Sequence, residues 1–111
     1  MSQYQNKRMT KDERRLIEFL PKGSERPRPL KELSKLLYGD AESNNTRKTR
    51  RIINSLVINY EIPVGSKHNR PNGYFLITNE AERQTALKTL DAQSADLINR
   101  AAHLQKASFW R

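Results

Sequence analysis

The chain has 111 residues, room for one compact domain with an appendage, since domains commonly run to roughly 100–200 residues. Its 21 Lys and Arg against 12 Asp and Glu leave a net charge of +9, which makes a polyanion the first partner to expect. With no cysteine, a disulfide framework, a thiolate zinc site and a cysteine nucleophile are excluded. No apolar run approaches the roughly 18 residues of a spanning helix, and the polar stretch Met1–Thr10 lacks the apolar core of a signal peptide, so the expectation is a cytoplasmic chain without a membrane partner. Residues 1–77 hold 16 basic and 8 acidic side chains, whereas 78–111 hold 5 and 4. The first two thirds is therefore the part expected to face the polyanion.

Thr10-Lys11-Asp12-Glu13 has the spacing of a capping box and predicts a helix start after a basic arm, residues 1–10. Leu16, Ile17 and Leu20 make its apolar face, with Phe19 at the margin, and Pro21 then Gly23 stop it. Lys22–Arg28 shows no periodicity and reads as loop. Leu30, Leu33, Leu36 and Leu37 then recur at helical spacing, with Gly39 placed to cap a short second helix. A third helix is expected from Asn44-Asn45-Thr46 to about Asn59, with Ile52, Ile53, Leu56, Val57 and Tyr60 on one side. Glu61–Val64 and Gly73–Ile77 have strand character and flank the turn-rich segment Gly65–Asn72, which predicts a hairpin with a long tip. Pro63 confines the first strand to a sheet edge or a short length. Asn79-Glu80-Ala81-Glu82 is a second capping-box pattern, opening a helix free of Gly and Pro that could run to about Ala107, roughly 40 Å.

These elements predict an α+β, mainly α fold: three helices and a hairpin over 11–77, the order of a winged helix, followed by a long C-terminal helix over 78–111. On a helical wheel Asn44, Arg47, Lys48, Arg51, Asn54 and Ser55 fall opposite the apolar side of the third helix. Arg can grip guanine bidentately, Asn can read adenine, and Lys or Ser can hold a phosphate. No acidic residue occurs from Ser43 to Tyr60, although an ordinary solvated helix mixes Glu with its cations. Lys67, His68 and Arg70 in the hairpin tip suit phosphates or a narrow minor groove. His68 and His103 are isolated from other metal-ligating residues in the sequence, so no metal and no cofactor is expected. Asp40 and Glu42 just before the third helix would repel phosphate unless they turn away or cap its start.

The runs Arg50-Arg51-Ile52-Ile53-Asn54-Ser55-Leu56, Tyr60-Glu61-Ile62-Pro63-Val64-Gly65-Ser66 and Asn72-Gly73-Tyr74-Phe75-Leu76 resemble the recognition helix and wing of the winged helices at the N-terminus of biotin repressors. They are similar also to small winged-helix proteins of bacteriophages and prophages. The resemblance implies binding of double-stranded DNA, with the polar face from Asn44 to Ser55, Arg50 included, in the groove. No ligase or effector domain follows, so ligand sensing is not implied.

Leu87, Leu90, Ser94, Leu97, Ala101 and Leu104 alternate at three and four residues, which suits a homodimer seam or packing back onto the domain. Three functions of different kinds stay open at this level: a DNA-binding regulator or DNA-transaction accessory, a protein adaptor working through the C-terminal helix, and an RNA or single-strand binder. An enzyme is not expected, for want of a nucleophile, a Gly-rich phosphate loop or a carboxylate cluster at metal-ligand spacing.

Overall fold

The computed structural model describes residues 8–90 and 95–111. Lys7 of the arm and Ser94 of the seam lie outside the described residues. Among the described residues the fold is α+β and mainly helical: five helices and one two-stranded antiparallel hairpin. Helices α1 (Lys11–Phe19), α2 (Leu30–Tyr38) and α3 (Ser43–Tyr60) precede strands β1 (Val64–Lys67) and β2 (Gly73–Leu76), and α4 (Glu80–Thr89) and α5 (Ala95–Lys106) follow. The order through β2 is compatible with a winged helix. No described helix is long and apolar enough to cross a membrane.

The capping box of α1 forms as its spacing predicts. Thr10 Oγ1 accepts from the Glu13 amide at 3.1 Å, and the Thr10 amide donates to Glu13 Oε1 at 2.8 Å. The helix ends because Leu20, which precedes Pro21, is driven to extended backbone. Residues 8–10 lie against the packed domain: Met9 packs on the core and the Arg8 carbonyl oxygen lies 3.1 Å from the Tyr60 hydroxyl. In α2, Gly39 takes the left-handed conformation that only glycine adopts cheaply and returns its amide to the Lys35 carbonyl. Leu33 and Leu37 are buried, whereas Leu36, at the edge of the expected stripe, is 38% exposed. The buried stripe of α3 is Thr49, Ile53, Leu56, Val57 and Tyr60, with the Thr49 hydroxyl satisfied by the Asn45 carbonyl at 2.8 Å.

The first strand is Val64–Lys67 and not Glu61–Val64, because Glu61 is left-handed (φ 51) where the chain leaves α3 and Pro63 has no amide to pair, and it takes Gly65–Lys67 from the expected tip. The Pro63 carbonyl still accepts from Ile77 at 2.8 Å. On its other side β2 pairs with the segment expected to be loop. Arg28 and Tyr74 exchange both backbone hydrogen bonds (2.9 and 2.8 Å), Gly23 donates to Leu76, and Leu76 donates to Pro21. Strand β2 is thus central, between β1 and Pro21–Arg28. The prolines at 21 and 27 and the excursion between the two bridges erase any alternating pattern from that segment. Gly73 (φ 142) enables this approach, since a Cβ there would sit 2.5 Å from the Arg28 carbonyl carbon.

The long C-terminal helix does not form as one rod. Helix α4 ends at Thr89, with Leu90 extended, and α5 returns so that Leu104 is only 2% exposed within the common core. Folding back buries apolar surface that a projecting helix would leave in water, about 1.5–3 kcal/mol for a leucine. Leu87 and Leu90 also pack against that core, and Leu97 and Ala101 are half-buried. Arg83 closes the fold: its guanidinium donates to the Gln105 and Ala107 carbonyls, both at 2.7 Å, and lies 4.4 Å from the Phe109 ring centroid. The Trp110 amide then donates to the Ile77 carbonyl at 2.7 Å.

The second capping box is half realised. Asn79 accepts from the Glu82 amide at 2.9 Å, but the Glu82 carboxylate turns to Thr78 and to the Ser24 amide, at 2.8 and 2.7 Å. It therefore binds the 21–28 segment to the start of α4.

Glu13 is 6% exposed. Burial by itself would raise its pKa, but hydrogen bonds from Ser55, Thr10 and Tyr60 outweigh burial and hold it below the ordinary value of 4.5. Because the folded value is depressed, this stabilisation is present above about pH 4.5 and fades as pH falls through the folded pKa. Glu13→Gln should lower stability at pH 7 by about 1–3 kcal/mol, and urea unfolding at pH 7 and pH 3 should show the difference from wild type shrinking in acid. Arg83→Lys should cost about 1–3 kcal/mol by losing the fork on the two carbonyls. Amide exchange should then quicken at residues 105–110 before the core.

Candidate nucleic-acid interface

Helix α3 is 18 residues long, about 27 Å at 1.5 Å per residue. Its inner stripe fixes its rotation, so the opposite side is presented to solvent, and there Asn44, Arg47, Lys48 and Arg51 are exposed, with Arg50 exposed on the flank between that side and the buried stripe. Lys48 leans back toward α2, with its ammonium 5.6 Å from the Tyr38 ring centroid. The cation–π attraction keeps that charge at the α2 edge of the face.

Two expected members of this face sit differently. Ser55 is half-buried: its hydroxyl donates to Glu13 Oε2 at 2.6 Å and accepts from Asn59 Nδ2 at 3.0 Å. It serves the α1–α3 joint, and the wheel could not show this because Glu13 lies 42 residues away. Asn54 is also half-buried, and its Oδ1 is shielded from solvent without a donor among the described residues.

The acids ahead of α3 resolve as well. Asp40 Oδ1 accepts from the Glu42 amide at 3.0 Å and from Asn45 Nδ2 at 2.7 Å, and these hydrogen bonds hold its carboxyl below the usual range. Its charge is directed to the helix start, where the dipole favours it. Glu42 takes the N-cap position without a capping side-chain bond and is exposed.

The hairpin comes close to one flank of α3. Arg50 shares a cleft of about 190 Å³ with Lys67, His68 and Tyr74 of the hairpin and with Pro29 and Leu30 at the start of α2. His68 and Arg70 are exposed, and Lys67 is half-buried. Residues from α2, α3 and the hairpin thus converge although 17 residues separate Arg50 from Lys67.

The ion pairs among the described residues are Asp12–Arg15, Arg28–Glu32 and Glu80–Arg83, and a Glu61 carboxylate oxygen lies 3.5 Å from His103 Nδ1. None takes a cation from α3 or from the hairpin. What the arrangement offers chemically is a bank of exposed charged donors, suited to an extended anion. Among the described residues no three His, Asp or Glu lie close enough together to hold a metal ion.

Lys88 is the addition that periodicity could not supply. It lies in the last turn of α4, where it shares a second cleft with Lys67 and His68. A net charge of only +1 over 78–111 concealed it. Arg100 was equally hidden: it is 8% exposed, and its Nε has no acceptor among the described residues.

The chain matches no protein-family model, and neither a curated protein nor a solved structure matches it.

Proposed function

We propose that the chain is a double-stranded DNA-binding protein of the winged-helix kind, acting as a transcriptional regulator or DNA-transaction accessory. Helix α3 reads the major groove with Asn44, Arg47, Arg50 and Arg51, and the hairpin, the wing of this reading, touches backbone or minor groove with Lys67, His68 and Arg70. The observation that carries the proposal is the acid-free outer face of α3, joined through Arg50 to the basic hairpin in one cleft. Such a surface costs free energy through self-repulsion, and a polyanion relieves it.

The seam expected for a homodimer is partly engaged within the chain, since Leu87, Leu90 and Leu104 pack against its own core. A dimer would form over the outer side of α5, where Ile98 is 52% exposed. That same side is the surface an adaptor reading would use.

Binding of random duplex DNA should weaken steeply from about 50 to 200 mM salt, with a log–log slope of about −0.9 for each phosphate contact. A flat response would overturn the proposal. On a selected site, Arg51→Ala should cost about 1–3 kcal/mol and relax the preference at one base position. Unchanged affinity in the folded variant would remove α3 as the reader.

A further inference from the structure

The two sides of the hairpin differ in what they abut. Toward α3 it meets Arg50 and the start of α2. Along β1 it meets the C-terminal turn of α4, in a cleft of about 380 Å³ lined by Lys67, His68, Asn69, Thr85, Lys88 and Thr89. Lys67 and His68 line both clefts, so they form a ridge with basic ground on either side.

The α4 side is held in a fixed register to the hairpin. Thr89 Oγ1 donates to the Ser66 carbonyl at 3.0 Å and lies 3.2 Å from Ser66 Oγ. A Cβ on Gly65 would fall 2.7 Å from Ala86 Cβ, which shows how closely α4 lies on β1. Lys88, between these anchors, therefore moves with the hairpin and not independently of it.

The chemistry of the cleft favours an anion. Among the described residues no carboxylate lines it. The Thr85 hydroxyl donates to the Ala81 carbonyl, and that of Thr89 is held by Ser66 and Ala86. The donors left to meet a ligand are thus Lys67, His68, Asn69 and Lys88. Lys88 also offsets the negative end of the α4 dipole, which would otherwise disfavour an anion there.

We propose that this cleft seats a backbone phosphate of the same DNA duplex, so that the footprint passes from α3 over the hairpin to Lys88. The inference rests on the DNA-binding reading. A phosphodiester fits better than a free anion because His68, Asn69 and Lys88 are exposed, and exposed cations hold a lone anion weakly against water. A phosphate delivered by a duplex already anchored on α3 arrives at high effective concentration.

Lys88→Ala and Lys88→Glu, compared with Arg47→Ala, test the inference on random duplex DNA across a salt series. Lys88 is exposed, so both variants should stay folded, with a melting temperature lowered only by the small loss of the helix-dipole contact, more in Lys88→Glu than in Lys88→Ala. Lys88→Ala should reduce the magnitude of the salt slope by about 0.9, the loss of one contact, and weaken all sequences alike, with Lys88→Glu weaker still. Wild-type slope and affinity in both Lys88 variants, with Arg47→Ala impaired, would overturn this inference and leave the DNA-binding reading standing. A flat salt response of the wild-type protein would overturn both. Saturable NMR shifts at Lys67 and Lys88 with inorganic phosphate alone, in a protein whose duplex binding ignores Lys88→Ala, would make the cleft a small-anion seat and equally overturn the proposal.

Discussion

The carboxylate of Glu13 is the point on which the placement of α3 depends. It completes the cap of α1 through the Thr10 amide and reaches the Ser55 and Tyr60 hydroxyls of α3 at 2.6 and 3.3 Å. A buried charge is tolerable only when its lone pairs are met, and here donors from two helices meet them. The geometry admits little rotation of α3 about its axis without breaking one of these bonds. Once Ser55 and Tyr60 are turned toward α1, Ile53, Leu56 and Val57 face the core, Arg47 and Arg51 face outward, and Arg50 lies on the flank between. The outer face is in this sense a consequence of an inner hydrogen-bond network.

A second tie, through Glu82, does for the sheet what Glu13 does for the helices. One oxygen takes the Thr78 amide and hydroxyl, and the other takes the Ser24 amide. The segment before α2 is thereby fixed to the start of α4, with β2 between them supplying the ladder to Arg28 and Gly23. Because Arg28 leads directly into α2, the cleft wall formed by Pro29 and Leu30 inherits this anchoring. Gly73 is the point of closest approach, and its missing side chain lets the hairpin lie against that wall.

What was legible in the sequence was local. The Thr10 cap, the Gly39 terminus and the apolar stripe of α3 each rest on residues a few positions apart, and each appears close to where its spacing places it, whereas the first strand of the hairpin is displaced into the expected tip. What was illegible involves partners distant along the chain. The engagement of Ser55 by Glu13, the pairing of Arg28 with Tyr74 and the meeting of Lys67 with Lys88 span 42, 46 and 21 residues respectively. The break after Thr89 belongs to the same class. Nothing in local propensity forbids a rod through residues 80–107, but tertiary burial of Leu104 and the Arg83 clamp on the Gln105 and Ala107 carbonyls override it.

The distribution of acids accounts for the surface more directly than the count of cations does. Glu13 and Glu82 are enclosed in hydrogen bonds, Asp40 attends the start of α3, and Asp12, Glu32, Glu61 and Glu80 have basic partners near them in space. Those pairings lie on α1, around α2, on α4 and between Glu61 and α5, and none of them takes a cation of α3 or the hairpin. A net charge of +9 spread evenly would give a weak and featureless field, whereas the acid-free run from Ser43 to Tyr60 gathers part of the excess on one helix. At physiological salt, screening over roughly 8 Å confines that field to neighbours along the face. The clefts that place Arg50, Lys67 and Lys88 within a connected series of contacts therefore matter more for holding an extended anion than the total charge does.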